Sequence, residues 1–243
     1  MFRIGILGAA DIAFNKFIPA LMKVEGVECA GVASNSPDKL KRFVEKYNVH
    51  VYSSYNEVIG DDSVDCVYIP LPPAFHYEWA KKALLAGKHV FLEKPSTTSA
   101  DDTKELVGIA GEKGLVVQEN YMFQFHAQLK EIENLIASGE LGKLRLVRTS
   151  FGFPRRAEGD FRYVKELGGG TMMDNGGYTI KLIDMLLGES MRLVSSQLDY
   201  DEKTGIDIFG TAEFVNDDGV IAQAAFGMDC QYQCSLELWG SRG

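Results

Sequence analysis

Two stretches of the chain combine residue types and spacings suited to redox chemistry. The first is Gly5-Ile-Leu-Gly8-Ala-Ala10-Asp-Ile-Ala13, where small residues recur at a turn between two apolar runs. Gly8 permits a tight turn, a small residue at 10 lets the backbone approach a pyrophosphate, and a small residue at 13 lets a helix pack close to its strand. The free N–H groups at the start of that helix then face the phosphates. Ala10 and Ala13 stand where Gly-x-Gly-x-x-Gly has glycine, so the dinucleotide reading rests on the strand–turn–helix context. The second stretch is Phe91-Leu-Glu93-Lys94-Pro95, an apolar run ending in a carboxylate and an ammonium. Doubly wound folds bind ligands at that end of a strand. Lysine after an apolar run is costly unless its ammonium has a partner or a task; the alternative is a strand-end lysine in water.

A further segment bears on which dinucleotide fits. The second apolar run ends in Ala33-Ser34-Asn35-Ser36, with no acidic residue before Asp38. An acid there would accept from the adenosine ribose and favour NAD. Ser34, Asn35 and Ser36 can instead donate to a 2′-phosphate, and Lys39 and Arg42 follow within reach, so NADP is expected over NAD. The competing reading is a polar turn and a solvated helix face.

These residues need strands and helices to hold them. The first half alternates the two: strand patterns at Phe2–Leu7, Val27–Val32, Val64–Ile69, His89–Leu92 and Leu115–Gln118, and helical ones at Asp11–Lys23, Asp38–Tyr47, Phe75–Ala86 and Ser99–Lys113. Such alternation predicts an α/β domain with a doubly wound parallel sheet over residues 1–120. After Asn120 the pattern changes. Helices are predicted at Gln124–Ala137 and Met172–Leu187, and strands at Leu144–Phe153, Arg192–Tyr200, Asp207–Val215, Val220–Phe226 and Gln231–Trp239. Residues 121–243 therefore read as an α+β domain with a mostly antiparallel open-faced sheet.

Composition narrows the partners. The chain has 243 residues, 46% hydrophobic and 24% charged, with 25 basic against 34 acidic side chains and a net charge of −9. No basic block suggests nucleic acid or an anionic membrane surface. The apolar start is short and broken by Asp11 and Lys16, unlike a signal peptide or a membrane span. Cys29 and Cys66 sit in strand-like runs; Cys230 and Cys234 are spaced too widely on a strand for an easy disulfide or zinc pair, and no histidine completes a metal set. A cytoplasmic, metal-free protein is expected.

The chain resembles the glucose–fructose oxidoreductase, inositol dehydrogenase and MocA family over essentially its whole length. The residues that carry the resemblance are the turn at Gly8–Ala13, Tyr68-Ile-Pro-Leu-Pro72 with His76 after it, and Ala86-Gly-Lys-His-Val-Phe-Leu-Glu-Lys-Pro95. Glu119-Asn-Tyr-Met-Phe-Gln-Phe-His-Ala-Gln128 and Gly168-Gly-Gly-Thr-Met-Met-Asp-Asn-Gly-Gly-Tyr178 extend it. The resemblance implies hydride exchange between a nicotinamide and a carbinol or carbonyl carbon of a sugar, sugar nucleotide or cyclitol. It implies that Lys94 contacts the reacting oxygen, Asp174 orients the substrate and Tyr178 handles the proton; four apart on a helix, Asp174 and Tyr178 share a face. A phenol with a pKa near ten works better beside an ammonium that stabilises phenolate. Implied cofactor contacts are Gly8, Ala10, Asp11, Ile12, Ala13, Ser34, Asn35, Ser36, Lys39, Pro70, Leu71, His76, Glu93 and Lys94. Pro73 stands where asparagine is usual and Gln124 where arginine is frequent. Asn120 is expected to line the substrate pocket, while His126 either faces it or caps a helix.

Arg155, Arg156 and Arg162 cluster before the second helix of this half. Arg155 and Arg156 could grip a phosphate bidentately, as a nucleotide sugar would need, or be solvated loop charges. Family members continue past Leu236-Glu-Leu-Trp-Gly-Ser-Arg242 with more sheet and a final helix, so the resemblance implies a C-terminally truncated, incomplete second domain. It also implies homo-oligomers formed through the outer face of this sheet. The alternatives to an enzyme are a non-catalytic dinucleotide-sensing regulator and an inactive truncated family member.

Overall fold

The structure, a computed structural model, describes residues 1–188 and 190–243. It comprises two compact units, Met1–Asn120 and Tyr121–Gly243.

The first unit is built on β1 (Phe2–Leu7), β2 (Val27–Ala33), β3 (Cys66–Ile69), β4 (His89–Glu93) and β5 (Val117–Asn120). All pair in parallel, in the order β2-β1-β3-β4-β5. Val51 adds a single parallel bridge to Val32 beyond β2, a vestige of one more strand. Because the chain winds outward from β1 through β2 and then crosses to β3, the order reverses between β1 and β3. Ligands settle at that reversal, outside the carboxyl ends of the strands. Strand residues alternate sides: Leu7, Val67, Ile69 and Leu92 pack under α3 (Tyr55–Gly60), α4 (His76–Leu85) and α5 (Ala100–Lys113). Ile6, Val32 and Tyr68 face α1 (Ile18–Leu21) and α2 (Pro37–Tyr47) on the other side. Sheets buried on both faces demand such apolar runs.

Local signals set the ends. Ser99 Oγ accepts the Asp102 N–H to open α5, and Gly114, in the left-handed region, closes it. The helix expected at Asp11–Lys23 is wound differently: Ala13–Phe17 forms a π-helical turn that passes into α1. α3 has no counterpart among the sequence expectations. It spans six residues, too few to display a period, and it is opened by Ser54, whose Oγ accepts the Glu57 N–H, while the Glu57 carboxylate accepts the Ser53 N–H just outside the cap.

The second unit has the sheet order β10-β6-β9-β8-β7, formed by β6 (Leu144–Gly152), β7 (Arg192–Tyr200), β8 (Asp207–Val215), β9 (Ile221–Gly227) and β10 (Gln233–Gly240). Only β6 and β9 pair in parallel; the other neighbours are antiparallel. α7 (Gly177–Leu187), entered by a π-helical turn at Met172–Gly176, covers one face by packing Ile183 on Val147, Ala222, Ala224 and Phe226. Its entry is stitched to the sheet by buried Asn175, whose Nδ2 donates to the Phe151 and Gly227 carbonyls at 2.7 and 2.9 Å. The opposite face carries a polar rung from Glu237 through Arg148 and Gln223 to Glu213. The helix predicted at Gln124–Ala137 is divided: Met122–Phe125 is a 3-10 turn, and α6 (Ala127–Ser138) starts after His126. Among the described residues, no helix is long and apolar enough to cross a membrane.

Candidate active site

In the first unit a cavity of about 500 Å³ opens at the reversal of strand order. Gly8 and Ala10 line it after β1; Ser34, Asn35, Ser36 and Lys39 after β2; Pro70 and Leu71 after β3. The floor depends on Gly8. Its φ is +126°, and a Cβ there would lie 2.9 Å from Leu71 Cδ2, so only glycine keeps the cradle open. Ala13 is fully buried in the α1 side of the core, as close helix–strand packing requires. Ile12 is half-buried beside it. The cradle therefore fits the pyrophosphate of a dinucleotide.

Asp11 and Arg42 are placed differently from the expectation. Arg42 Nη1 pairs with Asp11 at 2.6 Å, Nη2 donates to the Ala9 carbonyl at 3.1 Å, and the guanidinium rests over the Phe14 ring. It braces the turn and is not aimed at the cavity. Ser34 Oγ accepts the Ser36 N–H at 3.1 Å, which folds the loop so that Asn35, Ser36 and Lys39 are exposed at the mouth. Aromatic residues that the sequence reading passed over complete the wall: Tyr55, Phe75 and Trp79. Phe75 and Trp79 follow the proline-rich turn, and that placement was the available signal.

The end of β4 carries the ionic machinery. Glu93 Oε1 accepts from the Tyr68 hydroxyl at 2.6 Å and from Asn120 Nδ2 at 2.6 Å. Burial, then the Glu93 charge, pushes the Tyr68 phenol far above its ordinary range. Tyr68 is thereby a neutral donor that fixes the carboxylate next to Lys94. Asn120, expected at the substrate, spends one amide hydrogen on Glu93 because β4 and β5 pair these two residues directly. Lys94 is half-buried on the same strand end. His76, expected at the cofactor, is not on the cavity wall. Its ring is fully buried, and both nitrogens lie against backbone carbonyls, Leu71 at 2.7 Å and Pro95 at 2.8 Å.

In the second unit a cavity of about 700 Å³ is lined by the 3-10 turn, α6, β6, α7 and β10. Tyr178 lies on its wall, with its ring against Tyr121, Phe123 and Phe151 at centroid distances of 5.0, 5.7 and 5.3 Å. Contact with Tyr121 needs a residue without a side chain before Tyr178, since a Cβ on Gly177 would come 2.0 Å from the Tyr121 hydroxyl. Asp174, one turn earlier, is buried and bonded to Arg162, whose Nε lies 2.8 Å away. Asp160 holds the other side of the same guanidinium. Burial disfavours the Arg162 charge, but the two carboxylates more than offset this, and its pKa moves up. His126 lines this cavity, and its Nδ1 accepts the Gln128 N–H as the cap of α6.

Arg155 and Arg156, read from the sequence either as a phosphate grip or as solvated loop charges, each meet local partners. Arg155 pairs with Asp201 at 2.7 Å and lies 3.8 Å from Asp229. Arg156 lays its guanidinium over the Phe153 ring while its backbone N–H donates to the Tyr163 hydroxyl. The third arginine of the cluster, Arg162, bonds Asp174. Among the described residues, no group of three or more His, Cys, Asp or Glu could hold a metal ion.

A doubly wound parallel sheet with a small-residue phosphate cradle at its reversal, joined to an open-faced α+β unit, defines a nicotinamide-dinucleotide-dependent oxidoreductase. Residues 2–121 match the oxidoreductase family with an NAD-binding Rossmann fold, and residues 129–243 match the GFO/IDH/MocA C-terminal domain. The chain belongs to this Gfo/Idh/MocA family and is an NAD(P)-dependent oxidoreductase. It is 38% identical to the dTDP-3,4-didehydro-2,6-dideoxy-alpha-D-glucose 3-reductase of Saccharopolyspora spinosa, over 99% of this chain and 73% of that one. It is 33% identical to D-xylose 1-dehydrogenase (NADP(+)) 2 of Haloferax volcanii, over 93% of this chain and 69% of the relative. A 3-ketoreductase from Actinomadura kijaniata, solved with NADP and TDP-benzene, superposes with a TM-score of 0.96 at 36% identity, covering 99% of this chain and 74% of that structure.

Proposed function

We propose that this protein uses NADPH to reduce a ketone carbon on a sugar linked to a nucleoside diphosphate. The observation that carries the reading is the Tyr178 phenol on the wall of an aromatic cavity, one turn from a buried carboxylate that accepts from Arg162 Nε at 2.8 Å. The names of the dTDP-sugar 3-reductases, matched across 99% of the chain, supply the substrate class. NADPH, when bound in the first cavity, would supply the hydride. The family resemblance would assign Lys94 to the ketone oxygen, Tyr178 to its proton and Asp174 to orienting the substrate. Tyr68 and Asn120 hold the Glu93 carboxylate that sets the Lys94 strand end. The cofactor contacts are the residues of the first cavity, Gly8, Ala10, Ser34, Asn35, Ser36, Lys39, Pro70 and Leu71, with Asp11, Ile12 and Ala13 shaping the turn.

NADP is favoured over NAD because the β2 loop presents hydroxyls, an amide and an ammonium where NAD sites place an acid. The protein forms homo-oligomers through the open face of the second sheet, where Trp239, Leu146, Ile221 and Val215 align as an apolar rung across four strands. It works in the cytoplasm, as suits Cys29 and Cys66, whose thiols burial raises to about 11 and about 12.

The test is loss of NADPH absorbance with keto-sugar nucleotides, and its gain from NADP⁺ with free aldoses. Turnover only with nucleotide-linked ketones supports the reading. Turnover with a free aldose and NADP⁺, as in the name of the xylose dehydrogenase relative, replaces the substrate class. NADPH binding without turnover of either group moves the protein to a sensing role.

A further inference from the structure

His76 is the first residue of α4, immediately after the Pro73–Phe75 turn, and is wholly inaccessible to solvent. Its Nε2 lies 2.7 Å from the Leu71 carbonyl and its Nδ1 lies 2.8 Å from the Pro95 carbonyl. Those carbonyls belong to different turns. Leu71 follows β3, lines the cofactor cavity, and packs its side chain against the Gly8 cradle. Pro95 follows β4 and is bonded directly to Lys94. Carbonyl oxygens only accept, so a neutral ring donates to one carbonyl at a time, according to its tautomer, while the other nitrogen stays in contact with the second carbonyl. Burial drives the imidazole pKa downward; the Pro95, Leu71 and Ser96 backbone groups and the Glu93 carboxylate from β4 act against it. A fully buried ring held at hydrogen-bond distance by two carbonyls links those two turns physically.

We propose that His76 is a positioning residue that couples the two turns, fixing the cofactor wall through Leu71 and the backbone that bears Lys94 through Pro95. The ring does not line the first cavity; it acts through Leu71 and Lys94. The inference rests on the reading of the first cavity as the NADPH site and of Lys94 as the catalytic ammonium.

The two ends separate with two amides. An asparagine nitrogen reaches the place of Nδ1, and a glutamine nitrogen reaches the place of Nε2. His76→Asn keeps the Pro95 bond and abandons Leu71; His76→Gln does the reverse. Two readouts need no substrate: the NADPH dissociation constant by fluorescence titration, and the rate of Lys94 acetylation by acetic anhydride, followed by peptide mass spectrometry against the other lysines. His76→Asn is expected to weaken NADPH roughly five- to tenfold, the effect of one lost hydrogen bond, with Lys94 acetylated as in the wild type. His76→Gln is expected to bind NADPH as the wild type does and to acetylate Lys94 several-fold faster. Equal changes in both readouts for either variant, or no change in either, overturn the coupling. If one variant does not fold, the other decides by the same split. Wild-type protein that folds but fails to bind NADPH overturns the cofactor reading and this proposal with it; an unsplit response in protein that binds NADPH overturns the coupling alone.

Discussion

Arg162 Nε lies 2.8 Å from Asp174 Oδ2, and both side chains are largely withdrawn from water. The same guanidinium holds Asp160, and its backbone carbonyl accepts the Gly170 N–H just ahead of the turn that carries Asp174. Removing one partner of a buried ion pair leaves the other charge uncompensated, which costs about 3–5 kcal/mol. Arg162→Gln is therefore expected to lower unfolding free energy by roughly 2–4 kcal/mol, reduced from that figure because part of the pair is wetted. Adding Asp174→Asn should recover about 1–3 kcal/mol of the loss. Urea titration of the two single variants and the double variant measures this coupling, and strict additivity would refute it.

Lys94→Met and Tyr178→Phe test the chemistry separately from the fold. The Tyr178 ring packs on Tyr121, Phe123 and Phe151, and phenylalanine keeps those contacts. Loss of a positioned proton donor slows turnover by about 10²–10⁴. Tyr178→Phe should lose turnover on that scale while its melting temperature and NADPH affinity stay near wild type. Lys94→Met should show the same pattern in stopped-flow NADPH oxidation, and a variant that turns over at the wild-type rate removes that residue from the mechanism.

Much of this was legible in the residues. The strand–helix alternation of the first 120 positions follows from apolar runs punctuated by Gly87 and Gly114, which lie in the left-handed region at the ends of α4 and α5. The strands of the second unit were visible as separate runs at Leu144–Phe153, Arg192–Tyr200, Asp207–Val215, Val220–Phe226 and Gln231–Trp239. α3 was not, because six residues show no period. The π-helical turns at Ala13–Phe17 and Met172–Gly176 were not either, since they leave the apolar spacing nearly unchanged. At the site, Lys94 stood out by its place at the end of an apolar run, while Asp174 and Tyr178 were marked only by the family resemblance. What Arg162, Arg155 and His76 bond to depends on contacts between distant segments, which spacing does not encode.

The β2 loop predicts a switchable cofactor preference. An acid at the end of this strand would accept from a ribose and repel a 2′-phosphate. Ser36→Asp with Lys39→Glu should shift the NADPH-to-NADH affinity ratio toward NADH by at least about tenfold, about 1.4 kcal/mol. Both positions are exposed at the cavity mouth, so stability should stay within about 0.5 kcal/mol of wild type. Paired fluorescence titrations read the ratio; an unchanged ratio would show that the 2′-phosphate is held elsewhere.

Acid should weaken the protein through two carboxylates. Asp61 is held far below the usual range by hydrogen bonds from Ser63 and Tyr52, and Asp201 by Arg155 and the Thr204 and Lys203 N–H groups. A carboxylate with a depressed folded-state pKa contributes stability that is complete above its unfolded pKa, near four, and is lost as pH falls below that value. Melting temperature is thus expected to be flat at neutral pH and to decline below about pH 4. Asp61→Asn and Asp201→Asn should each melt lower than wild type at pH 7 and show a shallower acid decline. Parallel slopes for wild type and variants would exclude these residues as the source.

Gly8→Ala separates two demands on the cofactor cradle. The first is conformational: φ is +126°, a region that L side chains avoid. The second is steric: the added methyl would sit 2.9 Å from Leu71 Cδ2. Leu71→Ala removes the steric conflict and leaves the conformational one. Gly8→Ala alone should weaken NADPH binding by about tenfold or more, since strain of this kind costs on the order of 1–3 kcal/mol and the turn relaxes away from the pyrophosphate. Adding Leu71→Ala should restore part of that affinity and not all of it. Full restoration would mean that the methyl's collision was the whole effect. No restoration would mean that the backbone of Gly8, through its positive φ, governs the approach to the phosphates by itself.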